Sequence, residues 1–347
     1  MKREDLYMRS FRGEDGFNEF VQSLGGDPAA VTKASGLAPT LPKGLMNFES
    51  FAGICKLFEE GAAQTSEPYF GLKWALAQPE DFRFAGPNVF LISIANNVRH
   101  WVDMAIDYQK IDTNGFSFSY EEDAASKSVT GVIAVHPLAP PCRQFLEQLV
   151  AGIAMIGPQF IPGFKFNHIT FQHSAPEDMS LYDSIFECPV SFNAPRNTVV
   201  ADLHYMSVKQ TNFLTKITKP LIKQYLNWRI SKLPKAKQSI SMIVGETILG
   251  ILGVKGSDIT HVSTALDIHP KKLQRLLKDE GTSFTDILDD VRKNIASRLL
   301  IESDISMLRI AKMLDYSGSS PFIQAFRRWF SMSPTQYRKQ YRHQHKQ

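Results

Sequence analysis

Two clusters of side chains near the C-terminus have the types and spacing to read a nucleic acid. Lys271, Lys272, Gln274, Arg275 and Lys278 fall in one short stretch, and Leu273, Leu276 and Leu277 occupy its opposite face. Ser319, Ser320, Pro321, Gln324, Arg327 and Arg328 fall in a second, opposite Phe322, Ala325, Phe326, Trp329 and Phe330. Arg offers two parallel donors to guanine O6 and N7, Gln can pair with adenine, and Ser or Pro can meet backbone or a thymine methyl. Lys278, Lys293, Arg327 and Arg328 are placed to neutralise phosphates.

Catalytic and metal chemistry find less support. His168 and His173 lie five apart about a strand-like stretch, so they point to opposite faces, a poor geometry for shared ligation. No His-x-Glu, Gly-x-Ser-x-Gly or glycine-rich phosphate loop occurs. Cys55, Cys142 and Cys188 are an odd, widely spaced set without Cys-x-x-Cys, which argues against a disulfide frame and a zinc cluster. Cys142 and Cys188 read as buried structural thiols rather than redox sensors. The expectation is no catalytic residue, no metal and no cofactor.

The elements that must position the two cationic clusters are helical. A helix over about Ser239–Leu252 leads to a short helix Ile259–Leu266, capped by Ser257 or Asp258, then a turn and the first reader, His269–Lys278. Gly281 ends that reader in a left-handed cap. A longer helix, about Ser283–Glu302, buries Phe284, Ile287, Leu288, Val291, Ile295, Leu299 and Leu300. Then the plan repeats: Ser306 caps Met307–Leu314, and the Asp315-Tyr316-Ser317-Gly318 turn leads to the second reader, Ser319–Phe330. Two readers held about one DNA turn (~34 Å) apart would enter successive major grooves.

The preceding residues differ. Helical spacing marks Phe17–Leu24, a helix from Asn47 through Phe58, Phe70–Ala77, Val89–Tyr108 and Cys142–Ile156. Period-two alternation marks a hairpin of Phe116–Tyr120 with Val129–Val135 across the Asp123–Lys127 turn, and short strands at His168–His173, Ile185–Val190 and Thr198–Leu203. Thr211–Ser231 is amphipathic, with a kink expected at Pro220, and its wide apolar stripe is read as a dimer contact. Leu233–Lys237 reads as a linker. The division is 1–210, 211–237 and 238–347.

Charge and aromatic content split the same way. Residues 231–347 hold 19 Lys and Arg against 11 Asp and Glu, a net of +8, whereas the preceding residues hold 20 against 24, a net of −4. A basic third on a mildly acidic remainder points to a polyanion-binding module joined to a non-binding domain. Of the 24 Phe, only Phe284, Phe322, Phe326 and Phe330 follow residue 231, so the first part has its own aromatic core, and with it the means to form an apolar pocket. An amphiphilic or apolar small-molecule effector, such as a fatty acid, is the expectation there, with its binding residues unassigned. The apolar run near Leu149–Gly157 falls well below the roughly 18 residues needed to cross a bilayer, and MKREDLYMRSF lacks the apolar segment of a secretory signal. A cytoplasmic protein without a membrane partner is expected.

These residues carry a resemblance. EGTSFTDILDDV (280–291) and ISMLRIAKMLDYSGSSPFIQAFRRWFSMSPTQYR (305–338) are similar to the AraC/XylS family of bacterial transcription regulators. That resemblance implies two helix-turn-helix subdomains joined by a long helix, with exposed faces on Lys271, Gln274, Arg275 and on Ser319, Ser320, Gln324. Asp315 stands where the family usually has Gly, and Gln324 where a basic residue is common. Glu67-Pro68-x-Phe70-Gly71-Leu72, His173-x-x-Pro176, Tyr182 and Phe186-Glu187-Cys188-Pro189-Val190-x-Phe192 resemble the arabinose-binding-type N-terminal domain of one branch. The fold expected is an α+β effector and dimerisation domain followed by an all-α DNA-binding domain. The function implied is a ligand-responsive, homodimeric regulator of double-stranded DNA, an activator that contacts RNA polymerase. Two alternatives stay open: an enzyme or DNA-repair protein fused to this module, and a constitutive DNA binder with a vestigial effector domain.

Overall fold

The computed structural model describes residues 6–9, 16–39, 48–78, 91, 95–209, 240–252, 256–266 and 268–342. The amphipathic stretch 211–231 and the linker 233–237 lie outside the described residues.

The first part is α+β. Strand β1 (Tyr7–Arg9) pairs antiparallel with β2 (Phe48–Ser50), across helices α1 (Phe17–Ser23) and α2 (Pro28–Ser35). The Asp27 side chain caps α2, Pro28 opens it, and Gly36 closes it at φ 77°. Helix α3 (Phe51–Thr65) follows, capped by Ser50, then α4 (Phe70–Ala77) and α5 (Val98–Asp107), capped by Asn97. The sequence spacing placed residues 47–50 in the helix and began the next long helix at Val89. Instead, Phe48–Ser50 pairs with a strand some forty residues upstream, and the Asn97 cap starts α5 at Val98; of Val89–Ile94 only Leu91 is among the described residues.

A five-stranded sheet has the order β3-β4-β7-β5-β6, from β3 (Phe116–Asp123), β4 (Ser128–Val135), β5 (Phe166–Thr170), β6 (Val190–Ser191) and β7 (Asn197–Asp202). Its pairs are antiparallel except β5 with β6. Helix α6 (Arg143–Phe160) packs against α3 and α4. The strand expected over Ile185–Val190 is a correction: Ile185 and Phe186 end a short helix, α7 (Ser180–Phe186), and only Val190–Ser191 pair. Buried Phe51, Phe58, Phe70, Phe116, Phe145, Phe166, Phe171 and Phe186 dominate this core.

The second part is all α: α8 (Ile240–Ile251), α9 (Ile259–Ala265), α10 (Pro270–Asp279), α11 (Phe284–Glu302), α12 (Met307–Met313), α13 (Ser319–Phe330) and α14 (Pro334–Arg342). A separate core gathers Val262, Leu273, Leu277, Leu299, Leu300, Ile310, Phe322 and Phe326. No described helix is long and apolar enough to cross a membrane.

Candidate nucleic-acid interface and ligand cavity

Each cationic cluster rides on a helix whose other face is anchored. Asp258 caps α9 by accepting from the Thr260 and His261 amides at 2.8 and 3.1 Å. His269 caps α10 and Pro270 opens it. Leu273 and Leu277 are fully buried, and Lys271, Lys272, Gln274, Arg275 and Lys278 stand exposed. The first turn of α10 holds no acidic residue, so its amide dipoles and two lysines favour an anion there. Gly281 lies at φ 76°, and the Gly281 and Thr282 amides close the helix on the Lys278 and Leu277 carbonyls.

The second pair mirrors this. Ser306 caps α12, accepting from the Arg309 amide, and α13 buries Phe322, Ala325 and Phe326. Ser320, Pro321, Gln324, Arg327 and Arg328 are exposed and Ser319 is half-buried. Two basic residues differ from simple phosphate contacts. Arg328 forms an ion pair with Asp289 of α11, and Lys293 lies over the Phe330 ring at 5.4 Å.

Helix α11 joins the pairs, and its 19 residues span about 28 Å. Ser283 and Asp286 form a capping box at its start. Arg292, not singled out from sequence, binds both units: its guanidinium reaches Ser257 Oγ and the Asp315 carbonyl at 3.4 Å each and lies 4.6 Å from the Tyr316 ring centroid. Only its position on the inner side of a predicted helix hinted at such a role. Asp315 sits at φ 55°, which accounts for the preference for Gly at this turn. The closing Ser333-Pro334-x-x-Tyr337-Arg338 motif is structural. Ser333 and Gln336 cap α14, Tyr337 hydroxyl bonds Ser297 at 2.7 Å, and Arg338 donates to the Ile305 carbonyl at 2.7 Å.

The first part encloses a cavity of about 400 Å³ between the sheet, α5 and α6. Phe116, Phe118, Val129, Ile133, Val199 and Ala201 line it from the sheet, Val98, Trp101, Val102 and Ala105 from α5, and Phe145, Leu149, Ile153 and Ile156 from α6. Most polar side chains on its wall are already engaged. Gln109 donates to the Phe116 carbonyl and accepts from the Phe118 amide, Thr113 donates to the Tyr7 carbonyl at 2.8 Å, and Tyr120 donates to Asp103 at 2.7 Å. Gly131 leaves room on the sheet face, where a Cβ would come within 3.0 Å of Val199.

Behind α6, on the side away from the cavity, sits a polar cluster. The fully buried Glu147 accepts from Arg143 Nε at 2.7 Å and from the Tyr182 hydroxyl, and His173 Nε2 lies 3.4 Å away. Burial and the Arg143 charge outweigh Glu147 and hold His173 down at about 4, a neutral imidazole. Gln144 Nε2 donates to the Pro68 carbonyl at 2.8 Å, and its Oε1 accepts from the Gly71 amide at 2.8 Å. A Cβ on Gly71 would stand 1.9 Å from the Gln144 carbonyl oxygen, so only glycine lets α4 approach α6. Glu59, which accepts from the Gln144 amide at 2.9 Å, is pushed up to about 7 by burial and by nearby Glu302 and Glu147. His168, by contrast, bonds Ser191 at the surface. Among the described residues no group of His, Cys, Asp and Glu could hold a metal ion. Cys55 and Cys142 are buried and Cys188 half-buried, all as thiols.

Two family models match separate stretches of the chain. Residues 25–209 match the model of the arabinose-binding domain of AraC transcription regulators, and residues 262–340 match a helix-turn-helix domain. The HTH-type transcriptional regulator VirS of Mycobacterium tuberculosis is 25% identical over 325 residues, covering 93% of this chain and 94% of that protein. The ornithine utilization regulator of Pseudomonas aeruginosa is 22% identical over 325 residues, covering 92% and 93%. The crystal structure of the regulator CdpR from Pseudomonas aeruginosa aligns over 78% of this chain and 86% of that one, at 19% identity and a TM-score of 0.37.

Proposed function

The chain belongs to the AraC-type transcription regulators that carry an arabinose-binding-type N-terminal domain, and from that premise we propose how it works. It binds duplex DNA through α10 and α13, which present Lys271, Gln274, Arg275 and Ser319, Ser320, Gln324 to base edges in successive major grooves. Lys272, Lys278, Arg327 and Arg328 neutralise phosphates, and Pro321 packs beside them at the start of α13. The observation that carries this is the pairing, twice over, of an exposed basic or amide face with a fully buried Leu or Phe face on one short helix. The units are the segments 1–210, 211–237 and 238–347. Selection of binding fragments from genomic DNA, followed by footprinting, tests it: protection of two major-groove stretches about one turn apart is expected, and a single protected groove overturns the two-reader account.

The cavity holds the effector, and its chemistry favours an apolar or amphiphilic molecule over a sugar. Its volume lies within the usual range of small-molecule sites (roughly 300–1,000 Å³). A sugar would bury hydroxyls against Phe, Val, Leu and Ile walls, at about 1–3 kcal/mol for each one left unpaired. Ser119 and Gln148 also line the wall and offer polar groups to the head of an amphiphile such as a fatty acid. Thermal-shift assays with arabinose and with oleic acid decide: stabilisation by the lipid is expected, and stabilisation by the sugar alone overturns this part.

The regulator is a cytoplasmic homodimer that activates transcription through RNA polymerase, with 211–231 as the dimer contact. It is no enzyme and needs no cofactor. Persistent monomers in light scattering at micromolar concentration without DNA would refute the dimer.

A further inference from the structure

None of Glu67, Pro68, His173 and Tyr182 lines the cavity, so the reading above leaves these motif residues without work. Pro68, His173 and Tyr182 converge on the polar cluster behind α6, while Glu67 pairs with Lys73 beside it, and that cluster adjoins the seam between the two parts of the molecule. Among the described residues, hydrogen bonds at three points cross this seam. The Cys142 amide donates to Glu302 Oε1 at 3.1 Å, the Ser174 amide to the Glu302 carbonyl at 2.6 Å, and the Asp304 amide to Asn193 Oδ1 at 2.8 Å.

Each bond lands one step from the cluster. Cys142 precedes Arg143, Ser174 follows His173, and the Asn193 amide donates to the His173 carbonyl at 2.8 Å. Cys142 is also the N-cap of α6, and its side chain makes no cap bond; Glu59 accepts from the Gln144 amide in the first turn, while the carboxylate of Glu302, the last residue of α11, accepts from the amide of the N-cap residue itself. Arg298, 8% exposed, stands one turn back on α11 with Nε 3.9 Å from Glu302. Helix α6 thus has two faces with two duties. Phe145, Leu149 and Ile153 wall the cavity, while Arg143, Gln144 and Glu147 hold the cluster.

We propose that the polar cluster of Pro68, Arg143, Glu147, His173 and Tyr182 is a docking socket for the end of the connecting helix, through which α6 couples the effector cavity to the DNA-reading domain. This rests on the cavity being the effector site. The socket is stiff: buried Glu147 is held by Arg143 and by the Tyr182 hydroxyl, and the Gly71–Gln144 approach locks α4 to α6. The described hydrogen bonds of the plug can break and re-form, and parts of one chain joined by such polar contacts can move relative to each other. A shift of α6 that follows the cavity's occupant therefore moves its N-cap against Glu302, and with it α11 and both readers. Coupling of this kind acts equally in reverse, so DNA must be felt at α6.

Hydrogen exchange on the full chain, with and without a random-sequence duplex at low salt, tests the coupling. In the natural chain DNA should change exchange in the first turns of α6 by about fivefold or more, besides protecting α10 and α13. In the double variant Glu302→Ala, Asn193→Ala, protection of α10 and α13 should persist, which reports an intact fold, while the α6 response disappears. Glu302→Gln keeps the acceptor and should keep the response. The proposal is overturned if α6 ignores DNA in the natural chain, if its response survives the double variant, or if Glu302→Gln abolishes it. Failure of an 11-(dansylamino)undecanoic acid probe to bind would sink the cavity reading alone, because the DNA experiment uses no cavity ligand.

Discussion

Arg275 and Arg328 carry the same charge but meet different neighbours, and that decides what each contributes. Arg275 stands exposed on α10, whereas Arg328 is partly neutralised by Asp289. Arg275→Ala should cost about 1–3 kcal/mol on a selected site and relax preference at one base pair. Arg328→Ala should weaken all sequences alike and flatten the salt dependence by less than the ~0.9 expected of an unpaired cation. Anisotropy titrations on selected and random duplexes at several salt concentrations measure both; equal losses on the two duplexes for Arg275→Ala would remove it from the base-reading set. Gly71→Ala belongs to this scale too. The new methyl meets a backbone carbonyl at 1.9 Å, so a loss of about 3 kcal/mol or more is expected in urea unfolding, and a loss under about 1 kcal/mol would show that α4 can move.

At the scale of elements, caps and turns explain where helices begin and end better than propensity does. Asp27, Ser50, Asn97, Asp258, Ser283 and Ser306 each accept from an amide of the first turn; Asp258, Ser283 and Ser306 stand where sequence spacing starts a helix, whereas Asp27, Ser50 and Asn97 cap helices whose starts that spacing missed. Ser283→Ala should cost about 1 kcal/mol, since it removes one half of a capping box at the start of the connecting helix; an unchanged urea midpoint would mean that tertiary packing alone sets this end. Where sequence spacing erred, a neighbour distant in sequence had intervened. Phe48 fits the helical repeat of α3, yet its backbone pairs with Arg9. Ile185 lies in an alternating stretch, but Tyr182 and Phe186 are one helical turn apart and both buried in the core, which favours the helix.

Across the whole molecule, buried acids and histidines set opposed pH dependences. Glu59 and Glu302 are pushed up to about 7 by burial, so the folded chain holds protons that the unfolded chain sheds above about 4.5, and their contribution weakens as pH rises from about 4.5 to 7. His136 and His173 are held down at about 4, by burial and by the charges of Arg298 and Arg143 respectively; their contribution is present above about 6.5 and is lost as pH falls toward 4. The two trends offset between about 4.5 and 6.5. The variant Glu59→Gln, Glu302→Gln should therefore unmask the histidines and lose roughly 2–5 kcal/mol on going from pH 6.5 to 4.5. Urea unfolding at the two pH values measures it, and a flat profile would mean that the histidines accept protons without cost to the fold.

The basic readers, the caps of the helices before them, the long joining helix and the aromatic bias of the first part were all legible in the amino-acid order, because each depends on residues within a turn or two of one another. Lys271 and Leu273, or Gln324 and Phe326, declare their faces through helical spacing alone. The cavity, the buried socket and the seam at Glu302 were not legible. They join Phe145 to Val199, Glu147 to Tyr182 and Cys142 to Glu302, and no local period records a contact between residues tens to more than a hundred positions apart. Only the packed chain, which must bury Glu147 with its partners and bring a carboxylate from another domain to the Cys142 amide, decides those pairings.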